Sequence, residues 1–138
     1  MSIKKNDIEF GLEQEDKKLP LLRSFFSSKM KKETNKFAKY DYYTKKTYYE
    51  LKSRNNKYDT YPTTMIATDK VIPDCDRRQR FVFNFTDGVY YITYNKELFD
   101  EKVEIKMGGR NDRGQYEYKP YFYIPIYLLK KVEVEKNA

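Results

Sequence analysis

The sequence predicts an α/β or α+β domain in which an N-terminal helix packs on a mixed β-sheet. Three observations carry that prediction. Between Ile8 and Met30, the residues Leu12, Glu15, Leu19, Leu22, Phe26 and Met30 recur at steps of three and four, the spacing of one helical face. From Thr47 to Lys52, aromatic and β-branched residues alternate in the period of a strand. Phe81 to Phe85, Thr86-Asp87-Gly88 and Val89 to Tyr94 then give the clearest hairpin pattern, two apolar runs around an Asp-Gly turn. The apolar set is rich in Tyr (15) and Phe (9), so the core must be aromatic, which favours sheet.

A chain of 138 residues is one domain, 1–138, with one core and frayed ends at 1–7 and 133–138. Glu15 is the misfit of the helical stripe: it sits at the rim, or it aims at a cation below. Pro20 divides the stripe, and a second helical piece is expected from about Leu21. Five lysines lie between Lys29 and Lys39; they solvate a helix end, flank a substrate groove, or do both.

Phe37 to Tyr43 reads as a strand leading into Thr47 to Lys52, with Thr44-Lys45-Lys46 as the connection. On the second strand Tyr48, Glu50 and Lys52 share one face, and Tyr49 and Leu51 share the other. A two-residue turn at Lys45-Lys46 sets Asp41 opposite Glu50, where two like charges destabilise a sheet unless a cation lies between them. A three-residue turn shifts the register and sets Asp41 against Tyr49. Two carboxylates and a lysine on one strand pair suit metal-assisted phosphodiester hydrolysis. The oxygen donors fit Mg²⁺, with Mn²⁺ as a substitute, and the ammonium can orient water and offset charge on phosphate.

Asp41, a short loop and Tyr48-Tyr49-Glu50-Leu51-Lys52 resemble the PD-(D/E)xK nuclease superfamily, whose motif is an acidic residue, a hairpin, then acidic-x-Lys. Ser53-Arg54, Tyr58 to Ile66 and Asp69-Lys70 extend the likeness toward small phage and large-DNA-virus members, over roughly Gly11 to Lys70. Tyr40 stands where the motif's name has proline, which many members also lack. The resemblance implies a restriction-endonuclease-like fold with a central catalytic hairpin and a metal-dependent nuclease acting on nucleic acid, most simply DNA. It implies Asp41 and Glu50 as metal ligands, the Leu51 carbonyl as a further one and Glu15, from the first helix, as an outer one. Lys52 then positions or activates the water. For a viral protein it implies the host cytoplasm or nucleus.

Beyond the motif, Ser53 to Asp59 is turn-like, and Tyr61-Pro62-Thr63-Thr64 has the signature of a short helix running to Thr68 or Val71. Val71 to Arg80 is expected as loop, Glu97 to Glu101 as a brief helical turn and Val103 to Met107 as a strand. Gly108 to Gly114 reads as a hairpin tip, and Gln115 to Ile126 follows as an aromatic-rich run. The segment from Ile124 to Lys131 is a last buried piece that turns helical after Pro125. No helix or Gly-Lys-Ser/Thr follows Gly108-Gly109, which argues against a phosphate-binding P-loop. Arg54, Lys70, Arg110 and Arg113 are candidate phosphate contacts.

Composition limits the chemistry. The net charge of +7 points to a polyanionic partner. With no His, acid-base work falls to carboxylates, Lys or Tyr. Cys75 is the only cysteine, which excludes an internal disulfide and a thiolate zinc cluster. No signal peptide or apolar run of about 18 residues is present, so a soluble, intracellular protein without a membrane partner is expected. Two rivals remain: a basic nucleic-acid-binding protein whose acidic pair is merely salt-bridged, and a viral structural or interaction protein. Substrate form and a dimeric state stay open.

Overall fold

The structure, a computed structural model, describes residues 17–35, 37–110 and 117–133. Its first helix, α1, covers residues 17–25 and continues across Pro20, so the expected division near Leu21 does not occur. The helical stripe ends at Phe25 rather than Met30. There the Ser27 side chain accepts the Lys29 N–H at 3.1 Å, an alternative to further helix, and Met30 is buried from a loop instead.

The chain then forms β1 (Lys31–Lys32), β2 (Tyr42–Tyr43) and β3 (Thr47–Ser53). β4 (Thr63–Ala67) runs into a short 3-10 turn, Thr68–Lys70. The hairpin β5 (Arg78–Phe85) and β6 (Gly88–Thr93) precedes α2 (Lys96–Lys102), a second hairpin of β7 (Glu104–Arg110) and β8 (Glu117–Pro125), a 3-10 turn at Ile126–Leu128 and β9 (Lys130–Lys131). The first sheet is mixed, in the order β1-β2-β3-β5-β6-β9, with β3 and β5 parallel and every other pair antiparallel. The second is antiparallel, in the order β4-β8-β7.

Several expectations are corrected. Only Tyr42–Tyr43 of the run from Phe37 is strand, because at Asp41 the side chain takes the Leu51 N–H and the regular ladder with β3 stops. Thr63 to Ala67 is strand rather than helix: its backbone groups pair with β8 from Pro125 back to Tyr121, and that long-range ladder overrides the local Pro62 signature. β5 begins at Arg78, inside the expected loop, and Gly88 pairs with Phe85 so that Thr86-Asp87 make the turn. Gly108, Gly109 and Arg110 continue β7 opposite Lys119, Tyr118 and Glu117 rather than opening a loop. Glycine is suited to this position, since a Cβ on Gly108 would come within 3.0 Å of the Tyr121 ring.

Two cores form on opposite faces of the mixed sheet. On one face Leu22 of α1 packs with Tyr42, Tyr49, Leu51, Val82 and Val89. On the other, Phe81, Phe83, Phe85 and Ile92 pack against Ile66, Phe122 and Ile124 of the second sheet and Phe99 of α2. The result is three layers with β3 in the middle one, and the odd-even alternation of β3 decides which core each of its residues joins. A parallel β3–β5 pair requires a crossover of a dozen residues or more. That crossover contains β4 and the Thr68–Lys70 turn, which carries Lys70 back over β3.

Candidate active site

Thr44 N donates to Thr47 O at 2.8 Å and Tyr43 pairs with Tyr48, so Lys45-Lys46 is a two-residue turn. The regular pairing runs only as far as Tyr42 opposite Tyr49. Asp41 N donates to Tyr49 O at 2.8 Å, and the Asp41 carboxylate Oδ2 accepts the Leu51 N–H at 2.7 Å. The backbone N–H and C=O of one strand residue point to the same side, so the Leu51 carbonyl is directed toward the Asp41 edge of β3.

Glu50 is only 6% exposed. Its Oε1 lies 3.2 Å from Lys52 Nζ and 3.3 Å from Lys70 Nζ. Burial pushes the Glu50 carboxyl above the ordinary carboxylate range and the Asp41 charge pushes it further, while Lys52 and Lys70 pull it back. Asp41 and Glu50 therefore sense each other electrostatically across the strand pair. Among the described residues no three Asp, Glu, His or Cys side chains gather as a metal-binding group. Two carboxylates and a nearby carbonyl nonetheless suit a hard cation such as Mg²⁺, which uses one or two protein carboxylates and keeps several waters.

The same hairpin is braced from outside. Tyr40 stacks on Tyr48 with ring centres 4.0 Å apart, the Arg77 guanidinium covers Tyr48 at 4.6 Å, and Arg77 Nη1 donates to Thr44 O at 3.2 Å. Burial, followed by a hydrogen bond with Glu33, pushes the Tyr40 phenol up to about 12, so Tyr40 stays protonated at neutral pH and is no general base. A narrow pocket beside Glu50 is lined by Lys39, Tyr40, Tyr48, Lys70 and Gln79.

The sequence matches the family described as "Phage putative PDDEXK endonuclease" over residues 12–132. The chain belongs to this family. No curated protein and no solved structure matches it. In a phage PDDEXK chain the mixed α/β architecture is the expected restriction-endonuclease-like one, here with two helices and nine strands among the described residues.

Of the residues singled out in this phage PDDEXK sequence, the structure brings Glu50, Lys52 and Lys70 into contact and sets Asp41 on the Leu51 N–H. Lys70, expected to face phosphate, is paired with Glu50. Arg54 does not extend from the strand: its Nη2 donates to the Met65 carbonyl of β4 and its guanidinium lies 5.7 Å from the Phe83 ring centre. Glu15 and Arg113 lie outside the described residues, as does the side chain of Arg110, whose backbone ends β7. The described part of α1 packs on the Tyr49 and Leu51 face. Sequence reading missed Arg77 and Gln79. Gln79 is buried and grips the crossover, accepting from Ile72 N at 2.7 Å and donating to Ile72 O at 3.3 Å. Neither residue has a local pattern that would reveal it.

Proposed function

We propose that this protein is a Mg²⁺-dependent nuclease that hydrolyses nucleic-acid phosphodiester bonds, with DNA as its substrate. The observation that carries the reading is the buried Glu50 carboxylate held on one strand with Lys52, with Asp41 anchored beside it on the Leu51 amide. Asp41, Glu50 and the Leu51 carbonyl would hold the ion, with Glu15 as a candidate outer ligand. A bound divalent ion supplies Lewis-acid stabilisation of the phosphate and makes water more acidic.

The chain's own residues do the rest. Leu51 N–H fixes the orientation of the Asp41 carboxylate, so the pair is preorganised before substrate arrives. Lys52, on the Glu50 face, positions the attacking water and offsets the negative charge that grows on the phosphate. Lys70 stands at the same carboxylate as a candidate phosphate contact, and Arg110 and Arg113 are further candidates. The chain's net charge of +7 assists encounter with a polyanion.

One observation favours a second reading, a basic nucleic-acid-binding protein without catalysis. Glu50 already has two ammonium partners, as a purely structural ion pair would. A labelled duplex separates the two. The nuclease should cut with Mg²⁺ or Mn²⁺ and not in chelator, and Glu50→Gln should abolish cutting while binding in chelator holds or tightens, because a charge facing phosphate has gone. No metal-dependent cutting by wild type, with clearly weaker binding by Glu50→Gln, would establish the binding protein instead.

A further inference from the structure

Glu50 Oε1 receives two ammonium groups from different elements. Lys52 comes from β3 itself at 3.2 Å, and Lys70 comes at 3.3 Å from the 3-10 turn after β4. We propose that Lys70 is a displaceable counter-cation, which balances the acidic pair until a divalent ion takes Glu50 and then moves to a phosphate oxygen of the substrate. The proposal rests on the metal-dependent reading above and adds a role for this lysine.

The charge count supports it. Lys52 and Lys70 already set two ammonium groups at the one Glu50 carboxylate. A divalent ion added with both lysines in place leaves an excess of positive charge around a residue that is 6% exposed, which low local dielectric makes costly. Withdrawal of one ammonium relieves that excess. A phosphodiester, bringing one negative charge, offers the withdrawn ammonium a new partner.

The elements decide which lysine moves. Lys52 is fixed by a β3 strand hydrogen-bonded on the β5 side throughout, from Thr47 opposite Arg78 to Ser53 opposite Asn84. Lys70 is the last residue of a three-residue turn that has no buried side chain. Its own side chain is 30% exposed and lines the pocket beside Glu50. Swinging it toward solvent breaks one ion pair and no strand ladder.

The test is calorimetric titration of Mn²⁺ alone, without nucleic acid, into the full chain, with folding checked by circular dichroism. Lys70→Met should bind Mn²⁺ about tenfold more tightly than wild type, as expected when a competing cation is removed. Lys70→Arg should stay near wild type, and Glu50→Gln should lose the site. In cleavage of one oligonucleotide, Lys70→Met should raise KM more than it lowers kcat. Unchanged or weaker Mn²⁺ binding by folded Lys70→Met, or Lys70→Arg behaving like Lys70→Met, overturns the proposal. If wild type binds Mn²⁺ and cuts DNA while those results hold, only the role of Lys70 falls. If wild type neither binds Mn²⁺ nor cuts, the nuclease reading falls and this proposal with it.

Discussion

The two faces of β3 treat burial in opposite ways. Tyr49 and Leu51 enter an aromatic and aliphatic core with Leu22 of α1, and their burial is itself the stabilising term. One residue away in each case, Glu50 and Lys52 face the second sheet, where burial of the carboxylate is a cost offset by two ammonium groups. A charged cluster of this kind adds little to stability compared with an apolar replacement of the same shape. Its presence in the middle layer is better explained by chemistry than by folding. Substitutions on the two faces should therefore separate: activity without stability on one, stability on the other.

The largest effect belongs to the charged face. Lys52→Met should lower metal-dependent cleavage by about 10²–10⁴-fold, the range of a positioned proton-transfer or water-orienting group. Its urea midpoint should stay close to wild type, because Lys70 still pairs with Glu50. A large loss of stability accompanying the loss of cleavage would show that the two faces are not separable in this way.

On the opposite face, Leu51→Ala should cost about 2–5 kcal/mol, the transfer and cavity terms of a buried leucine, read from urea unfolding. Per folded molecule, Mn²⁺ affinity should change much less, since the Leu51 N–H and carbonyl survive the substitution. Metal affinity falling in proportion to stability would indicate that side-chain packing, and not the backbone, holds Asp41 in place.

How much of this was legible in advance depends on range. The alternation of β3, the β5–β6 hairpin and α2 are local patterns, and they were readable because period, turn chemistry and composition agree at each of them. The Thr44 to Thr47 turn was readable only as a choice between two registers; the Thr44 N–H to Thr47 carbonyl bond decides it. β4 was misread because Pro62-Thr63-Thr64 imitates a helix start, whereas its partner Tyr121 to Pro125 lies far along the chain. Asp41, Glu50 and Lys52 could be named from spacing alone. That Lys70 reaches Glu50 could not, since it depends on the path of the parallel crossover.

Arg54 sharpens the comparison at the end of β3. A phosphate contact and a structural tie predict different losses. With its guanidinium donating to the Met65 carbonyl over Phe83, Arg54→Ala should destabilise the chain by about 1–3 kcal/mol, chiefly by leaving that carbonyl without its charged donor. Affinity for a DNA duplex in chelator should stay within about twofold, since a guanidinium held on the Met65 carbonyl is not extended toward a phosphate. Loss of affinity without loss of stability would return Arg54 to the phosphate contacts.

The smallest effect concerns the far end of the Glu50 face, where Tyr58 stacks on Tyr90 with ring centres 4.0 Å apart and donates to the Ile126 carbonyl at 2.8 Å. Burial raises both phenols above their ordinary range, as it raises Glu50, yet among the described residues no cation pulls either of them back. A raised pKa on this face therefore marks burial, and the paired ammonium groups are what distinguish Glu50. For an acid whose folded pKa exceeds its unfolded value, the folded state binds the proton more tightly. The resulting stability is complete below the ordinary phenol value of about 10 and is lost as pH rises through the folded values. Tyr58→Phe keeps the ring and deletes the hydroxyl, so at neutral pH it should cost about 0.5–1.5 kcal/mol for the lost hydrogen bond. It should also make the alkaline fall in stability shallower, without removing it, because Tyr90 still titrates. Urea unfolding of both proteins at neutral pH and above pH 10 checks this: equal slopes would mean that Tyr58 ionises as readily in the folded chain as in the unfolded one, and that its hydroxyl is not held at Ile126.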